Sequence, residues 1–262
     1  MFVGSEETKL ILQNYEVTGI TDVSFDSQIQ EDAVALLTNR GITRKVNKGH
    51  IINCKISKPY LGKERFQEFT GITDLSGQFI YGENAVEFNG GAISSYSISV
   101  DTQGPPKVSI DMQIYGDFKP TTNLASGLLD YEFEKLAPES VFIDLEGRNS
   151  ILTSFSYSVN FDIKPTYEIN SVKSSTSKIF SPINYSVSAK ILMDEQEFED
   201  VASLIESETF NRNILFNVQD SGSTILNTYN IPNASLESQE VSIAAGDLVE
   251  MSISYKGLDS NV

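Results

Sequence analysis

The chain has one cysteine, one histidine and no tryptophan among its 262 residues. A single thiol can build neither an internal disulfide framework nor a cysteine-rich zinc site, and Cys54, on a strand pattern, is expected to be a small buried side chain. His50 precedes Ile51 and Ile52 at a strand start with no nucleophile or carboxylate partner close in sequence, so a structural role is expected for it. Basic residues are scarce too: 19 against 36 acidic ones leave a net charge of −17. Nucleic-acid affinity is carried mainly by lysines and arginines that displace counterions from phosphates, so direct nucleic-acid binding is disfavoured. No apolar run approaches the ~20 residues that a membrane-spanning helix needs. The first residues, Met1 to Glu7, lack the basic segment and apolar stretch of a secretory leader. The expectation is a protein made in the cytoplasm and soluble there or in an assembly, without membrane contact.

Signals for chemistry are also missing. The glycines match neither the phosphate-loop nor the dinucleotide fingerprint. The acidic run from Asp194 to Asp200 lacks the alternating ligands and mid-loop glycine of a calcium-binding loop. Its apolar residues follow helical spacing, and acids suit a first helical turn that Asp194 can cap. Asp26 and Asp162 recur at matching places, but an acid that ends a strand is ordinarily solvated or holding a turn. No catalytic residue, cofactor site or metal site is expected, and no enzymatic activity.

What the sequence does contain is a doubled pattern. Val23-Ser-Phe-Asp26 returns as Val159-Asn-Phe-Asp162, and Ile52-Asn-Cys-Lys-Ile56 returns as Val187-Ser-Ala-Lys-Ile191. The separations, 159 − 23 = 136 and 187 − 52 = 135, agree within a residue, and Ile110, Met112 and Ile114 match Val249, Met251 and Ile253. A period this long is a repeated domain, since solenoid units run only to about 50 residues. The reading is a mainly β chain of two tandem antiparallel β-sandwich or barrel domains, residues 1–118 and 140–262, joined by a linker at 119–139. A domain of that size can bury a core without disulfide or metal staples.

Each half opens with alternating strands, exemplified by Phe155, Tyr157, Val159 and Phe161. One short helix follows in each, about 61–70 with Phe66 and Phe69 on one face and about 195–207 with Phe198, Val201, Leu204 and Ile205. Short strands separated by Gly82, Gly90-Gly91 and Gly104-Pro-Pro106 complete the first half, and Ile214–Val218, Ile225–Tyr229, Leu236–Ile243 and Leu248–Tyr255 complete the second. A further short helix is possible at 128–136. The stretch from Ser27 to His50 exceeds an ordinary hairpin connection and reads as a projecting hairpin turning at Thr38–Gly41. Arg40, Gly41, Arg44, Lys45 and Lys48 make its tip basic, and the matching segment of the second half carries Lys173 and Lys178. Net charge by block is −4 for 1–116, −4 for 117–150 and −9 for 151–262. The even spread of apolar residues argues against disorder.

This order of elements, with its long early loop, single helix per half, acidic balance and absent site, resembles the tail tube proteins of long-tailed bacteriophages. Inner tubes of contractile injection machines belong to the same fold family. The resemblance runs through Val23–Thr70 with Val108–Tyr115, and Val159–Ser207 with Leu248–Tyr255. It implies a virion tail protein assembled in the host cytoplasm, in rings stacked into a tube through which DNA passes without specific binding. A duplicated chain would form trimeric, pseudo-sixfold rings, with a hexamer as the alternative, and the long loops would grip the neighbouring ring. Tape measure, sheath or baseplate proteins are the implied partners. Acidic residues lining the lumen would repel passing DNA. A tube-initiator, distal-tail or terminator ring protein of the same fold remains open. So does, from another class, a β-sandwich carbohydrate-binding or adhesin module, against which the absence of tryptophan platforms argues.

Overall fold

A computed structural model of the chain describes residues 8–17, 19–35, 43–60, 64–101, 104–127, 142–145, 151–167, 171, 173–193, 212–219, 224–243 and 249–259. It is mainly β, and every strand pair is antiparallel. The first half contains β1 (Thr8–Leu12), β2 (Tyr15–Val17), β3 (Asp22–Ala35), β4 (Thr43–Pro59), β5 (Leu75–Tyr81), β6 (Asn84–Asp101), β7 (Gly104–Ile114) and β8 (Phe118–Thr121). The second contains β9 (Phe142–Leu145), β10 (Ile151–Tyr167), β11 (Ser174–Met193), β12 (Arg212–Gln219), β13 (Ile225–Ile243) and β14 (Val249–Asp259). The only helix among the described residues is one turn, α1 (Phe66–Phe69). The expected helix at 61–70 is therefore shorter, although Phe66 and Phe69 are buried together as anticipated. The helix expected at 195–207 and the possible one at 128–136 lie outside the described residues.

The strands form one hydrogen-bonded network. In the first half the order is β1-β5-β6-β7-β4-β3, and in the second it is β9-β12-β13-β14-β11-β10. Irregularities also recur at matching places. β5 and β6 slip between Leu75↔Gly91 and Gly77↔Phe88, and β12 and β13 slip between Arg212↔Ala234 and Ile214↔Ile231. β6 bulges between Ile93 and Ser95 against β7, and β13 between Leu236 and Ser238 against β14. Just before each bulge sits a residue with left-handed backbone, Gly90 at φ 61° and Asn233 at φ 48°.

Those residues correct the expected strand boundaries. Gly90-Gly91 was expected to separate two strands, and 230–235 likewise, but β6 and β13 run through. A left-handed residue followed by a bulge bends a strand without ending its ladder, so one strand serves two layers, as at the corners of sandwiches. The first part of β6 pairs with β5 and β8, and its second part with β7 and β10. β8 also shows that the first half continues past residue 118, since Phe118–Thr121 returns to pair with β6.

The second parts of β6 and β13 complete an eight-strand layer, β3-β4-β7-β6-β10-β11-β14-β13. The two halves meet inside it, where β10 pairs with β6 from Ser154↔Asp101 to Asn160↔Ser95. Alternation sorts this layer: Val108, Ile110, Met112 and Ile114 are buried while Lys107 and Ser109 are exposed. Buried residues of both halves join in one large core cluster, beside a small separate one of Ile11, Ile80 and Ala85. At the joint, Tyr96 stacks on Tyr229 with ring centroids 6.3 Å apart, and Tyr157 lies 4.8 Å from Tyr229.

The register differs from the sequence matches. Val23 pairs with Ile56, yet Val159 pairs with Tyr185 and not with Ile191. By their places in the network Phe25 corresponds to Tyr157, Cys54 to Val187 and Met112 to Tyr255. Each sequence match was displaced by two or four residues, slips that leave every side chain on its own face.

Candidate functional site

Two surfaces stand out: the exposed face of the eight-strand layer and the hairpins that project from it. The exposed face carries rows of serines in register. Ser99 (β6), Ser156 (β10), Ser188 (β11), Ser254 (β14) and Ser238 (β13) are successive cross-strand neighbours. Ser57 (β4), Ser109 (β7), Ser97 (β6), Ser158 (β10) and Ser186 (β11) form the adjacent row. Hydroxyls bond one another at 2.8 Å (Ser156–Ser188), 2.7 Å (Ser158–Ser186) and 2.8 Å (Ser238–Ser254). Three lysines on this face have carboxylate neighbours: Lys190 reaches Glu250 at 3.2 Å, Lys256 pairs with Glu237, and Lys55 stands opposite Asp111, while the exposed Lys107 stands opposite Ser99. The result is a small-residue, hydroxyl-rich surface on which the described ammonium groups near Glu250 and Glu237 are already compensated. The serine rows were missed from sequence, where the signal was the Ser-x-Ser alternation in Ser154–Ser158, Ser95–Ser99, Ser186–Ser188 and Ser252–Ser254.

The hairpins are longer than the layer. β3 and β4 stay paired to Ala35↔Thr43, whereas β4 contacts β7 only over Ile52–Pro59. β10 and β11 stay paired to Tyr167↔Ser174, whereas β11 contacts β14 over Ile183–Met193. Neighbouring strands alternate in direction, so β3 and β10, four places apart, run the same way and both arms leave one end of the layer. The arms touch: Gly49 (φ 154°) lies under the Tyr167 ring, where an added Cβ would come within 2.2 Å of it. Only glycine fits there.

The expected contact residues distribute along these arms. Arg40 and Gly41 lie outside the described residues. Arg44 and Lys45 occupy β4 opposite Val34 and Ala33, and Lys48 falls in the bulge between Gly49 and Asn47. Lys173 is exposed but pairs with Asp117 of the first half, and this ammonium holds the Asp117 carboxyl below the usual carboxylate range. Lys178 is exposed opposite Lys164, which reaches Asp162 at 3.1 Å and sits 4.5 Å from the Phe180 ring centre.

The residues weighed for chemistry fall as follows. Cys54 is buried, and desolvation followed by the Asp111 charge pushes its thiol up to about 12. His50, without a partner close in sequence, finds one across the hairpin: Ser27 Oγ lies 2.6 Å from its Nε2. Among the described residues no carboxylate is hydrogen-bonded to the other ring nitrogen, and the nearby Asp26 carboxylate accepts from Gln28 at 3.0 Å. Among the described residues no three metal-ligating side chains converge. A groove of about 480 Å³ lined by Tyr81, Asn84, Val86, Pro120 and Thr121 holds no acid–base pair. No helix among the described residues is long and apolar enough to cross a membrane.

Compared with models of protein families and with curated proteins, the chain matches none.

Proposed function

We propose that this chain is a duplicated tube-forming subunit of a phage-type tail. Its layer would close with that of other copies into a ring, and the rings would stack into a channel for genome delivery. The observation that carries the reading is the eight-strand layer, apolar on the core side, serine-lined on the other, and unclosed at both ends among the described residues. A sheet with long open edges is prone to pair further, and closure into a barrel removes those edges. The common strand order, with bulges and left-handed residues in matching places, supports two copies of one domain in tandem. Three chains of eight strands would supply 3 × 8 = 24 strands to one wall. With two copies per chain, such a trimer has pseudo-sixfold symmetry.

The serine face suits a lumen wall. Small hydroxyls that satisfy one another, with Lys190 and Lys256 held by carboxylates, offer few sites for phosphate, while the acidic balance of the chain repels it. The repulsion expected from an acidic lumen is thereby joined by a second contribution, the scarcity of cationic groups along the serine rows, where Lys107 beside Ser99 is the exposed exception. Two arms leaving the same end of the layer favour a stacking subunit over a single initiator or terminator ring, since both can reach the next ring. Negative-stain electron microscopy of the purified chain tests the reading. Stacked rings with a central channel are expected; monomers at every concentration would refute it, and unstacked rings would favour the initiator or terminator alternative.

A further inference from the structure

The joint between β6 and β10 inside the chain has a counterpart that no described strand occupies. β10 corresponds to β3 and the second part of β6 to that of β13, by strand order and by the shared bulge. Among the described residues the outer edge of β3 pairs with no strand, and β13 from Ser235 to Ile243 is paired only with β14. Both edges are open where their counterparts are covered. Phe25 is 38% exposed and Val241 39%, whereas Tyr157 and Ile98, which hold the same places in the internal joint, are 4% and 1% exposed.

We infer that β3 of one chain pairs antiparallel with the second part of β13 of another copy, in the register of the internal joint. This inference rests on the ring reading and identifies the strands that close the ring. Transferring Tyr157↔Ile98 and Ser156↔Ser99 to the open edges sets Phe25 opposite Val241 and Ser24 opposite Ser242. Val23 then faces Ile243. Apolar meets apolar on the core side and serine meets serine on the exposed side, as in the internal joint, so the side chains fit without rearrangement. The two edges differ, so the contact is head-to-tail: it can continue from chain to chain and closes only by rotation into a ring. One pair opposes it. Asp26 falls opposite Glu240 where the internal joint has Ser158 opposite Ser97, and like charges directly across a ladder repel. Salt screens that repulsion and favours association.

Mixing variants of the full chain that each carry one added cysteine tests the register, because only contacts between chains can link the two added thiols. Ser24 and Ser242 are both exposed, and native Cys54 is buried. Ser24→Cys mixed with Ser242→Cys under mild oxidation is expected to yield a disulfide-linked dimer on a non-reducing gel, more of it at higher salt. Neither variant alone should yield one, nor should Ser24→Cys with Ser238→Cys, four residues out of register. Rings seen by microscopy without this link, or with a link in any other combination, overturn the β3–β13 joint while the ring reading stands. Absence of both rings and link overturns both.

Discussion

Tyr60 donates its hydroxyl hydrogen to Oδ1 of Asn227 at 2.7 Å, across 167 residues of chain and from one half of the molecule to the other. The same oxygen accepts the backbone N–H of Glu64 at 2.8 Å, and Nδ2 of Asn227 donates to Gln67 Oε1 at 3.1 Å. Glu64 in turn holds Lys58 at 3.0 Å in a buried ion pair and accepts the Phe66 N–H. One amide therefore fixes the end of β4 and the start of α1 against β13.

Asn227→Ala removes the shared acceptor: the Glu64 N–H is left buried without it, and the Tyr60 hydroxyl keeps only Tyr229 as a partner. One stranded buried group costs about 1–3 kcal/mol, so a loss of about 1–3 kcal/mol is expected in urea unfolding. Because both halves share one core, the whole transition should shift as a unit. Separate unfolding of one half would contradict the shared core.

The Lys173–Asp117 pair makes a pH-dependent contribution. Its folded-state carboxyl is held below the ordinary value of 3.8, chiefly by the Lys173 hydrogen bond and charge. A depressed acid stabilises the fold above its unfolded value, and that stabilisation is lost as pH falls through the folded value. The difference in melting temperature between the native chain and Asp117→Asn should stay constant between about pH 5 and 8 and shrink below about pH 4. Both groups are exposed, so the difference is small and salt-sensitive. A difference that grows on acidification would rule out this pairing.

The arms are expected to act between rings and not within them. Replacing Arg40, Arg44, Lys45 and Lys48 together with glutamine should leave the melting temperature unchanged and rings visible, while abolishing their stacking into tubes. Tubes of normal length from this variant would remove the basic arm from the assembly mechanism.

Much of this architecture was legible in the alternation of single strands. Phe155, Tyr157 and Val159 were expected on one face and are buried there, Cys54 was expected inside and is, and within the long Ser27–His50 segment β3 and β4 stay paired as far as Ala35↔Thr43. The Ser27–His50 contact was not legible, because it joins strands across the hairpin. Nor was the continuity of β6 and β13, since a glycine pair has the same composition whether it ends a strand or bends it.

The sequence by itself determined which side of each strand is wet and which is dry, and with it the β class and the doubled pattern, because apolar alternation acts within one strand and needs no partner. Only the tertiary structure decided which residue stands opposite which. A slip of two or four residues keeps every side chain on its face, so the even displacements of Phe25, Cys54 and Met112 from the residues that hold the same places in the strand network were invisible in the pattern. The bulges at Ile93 and Leu236, the left-handed backbone at Gly90 and Asn233, and the buried contact of Tyr60 with Asn227 removed that freedom, since each is satisfied in one register alone.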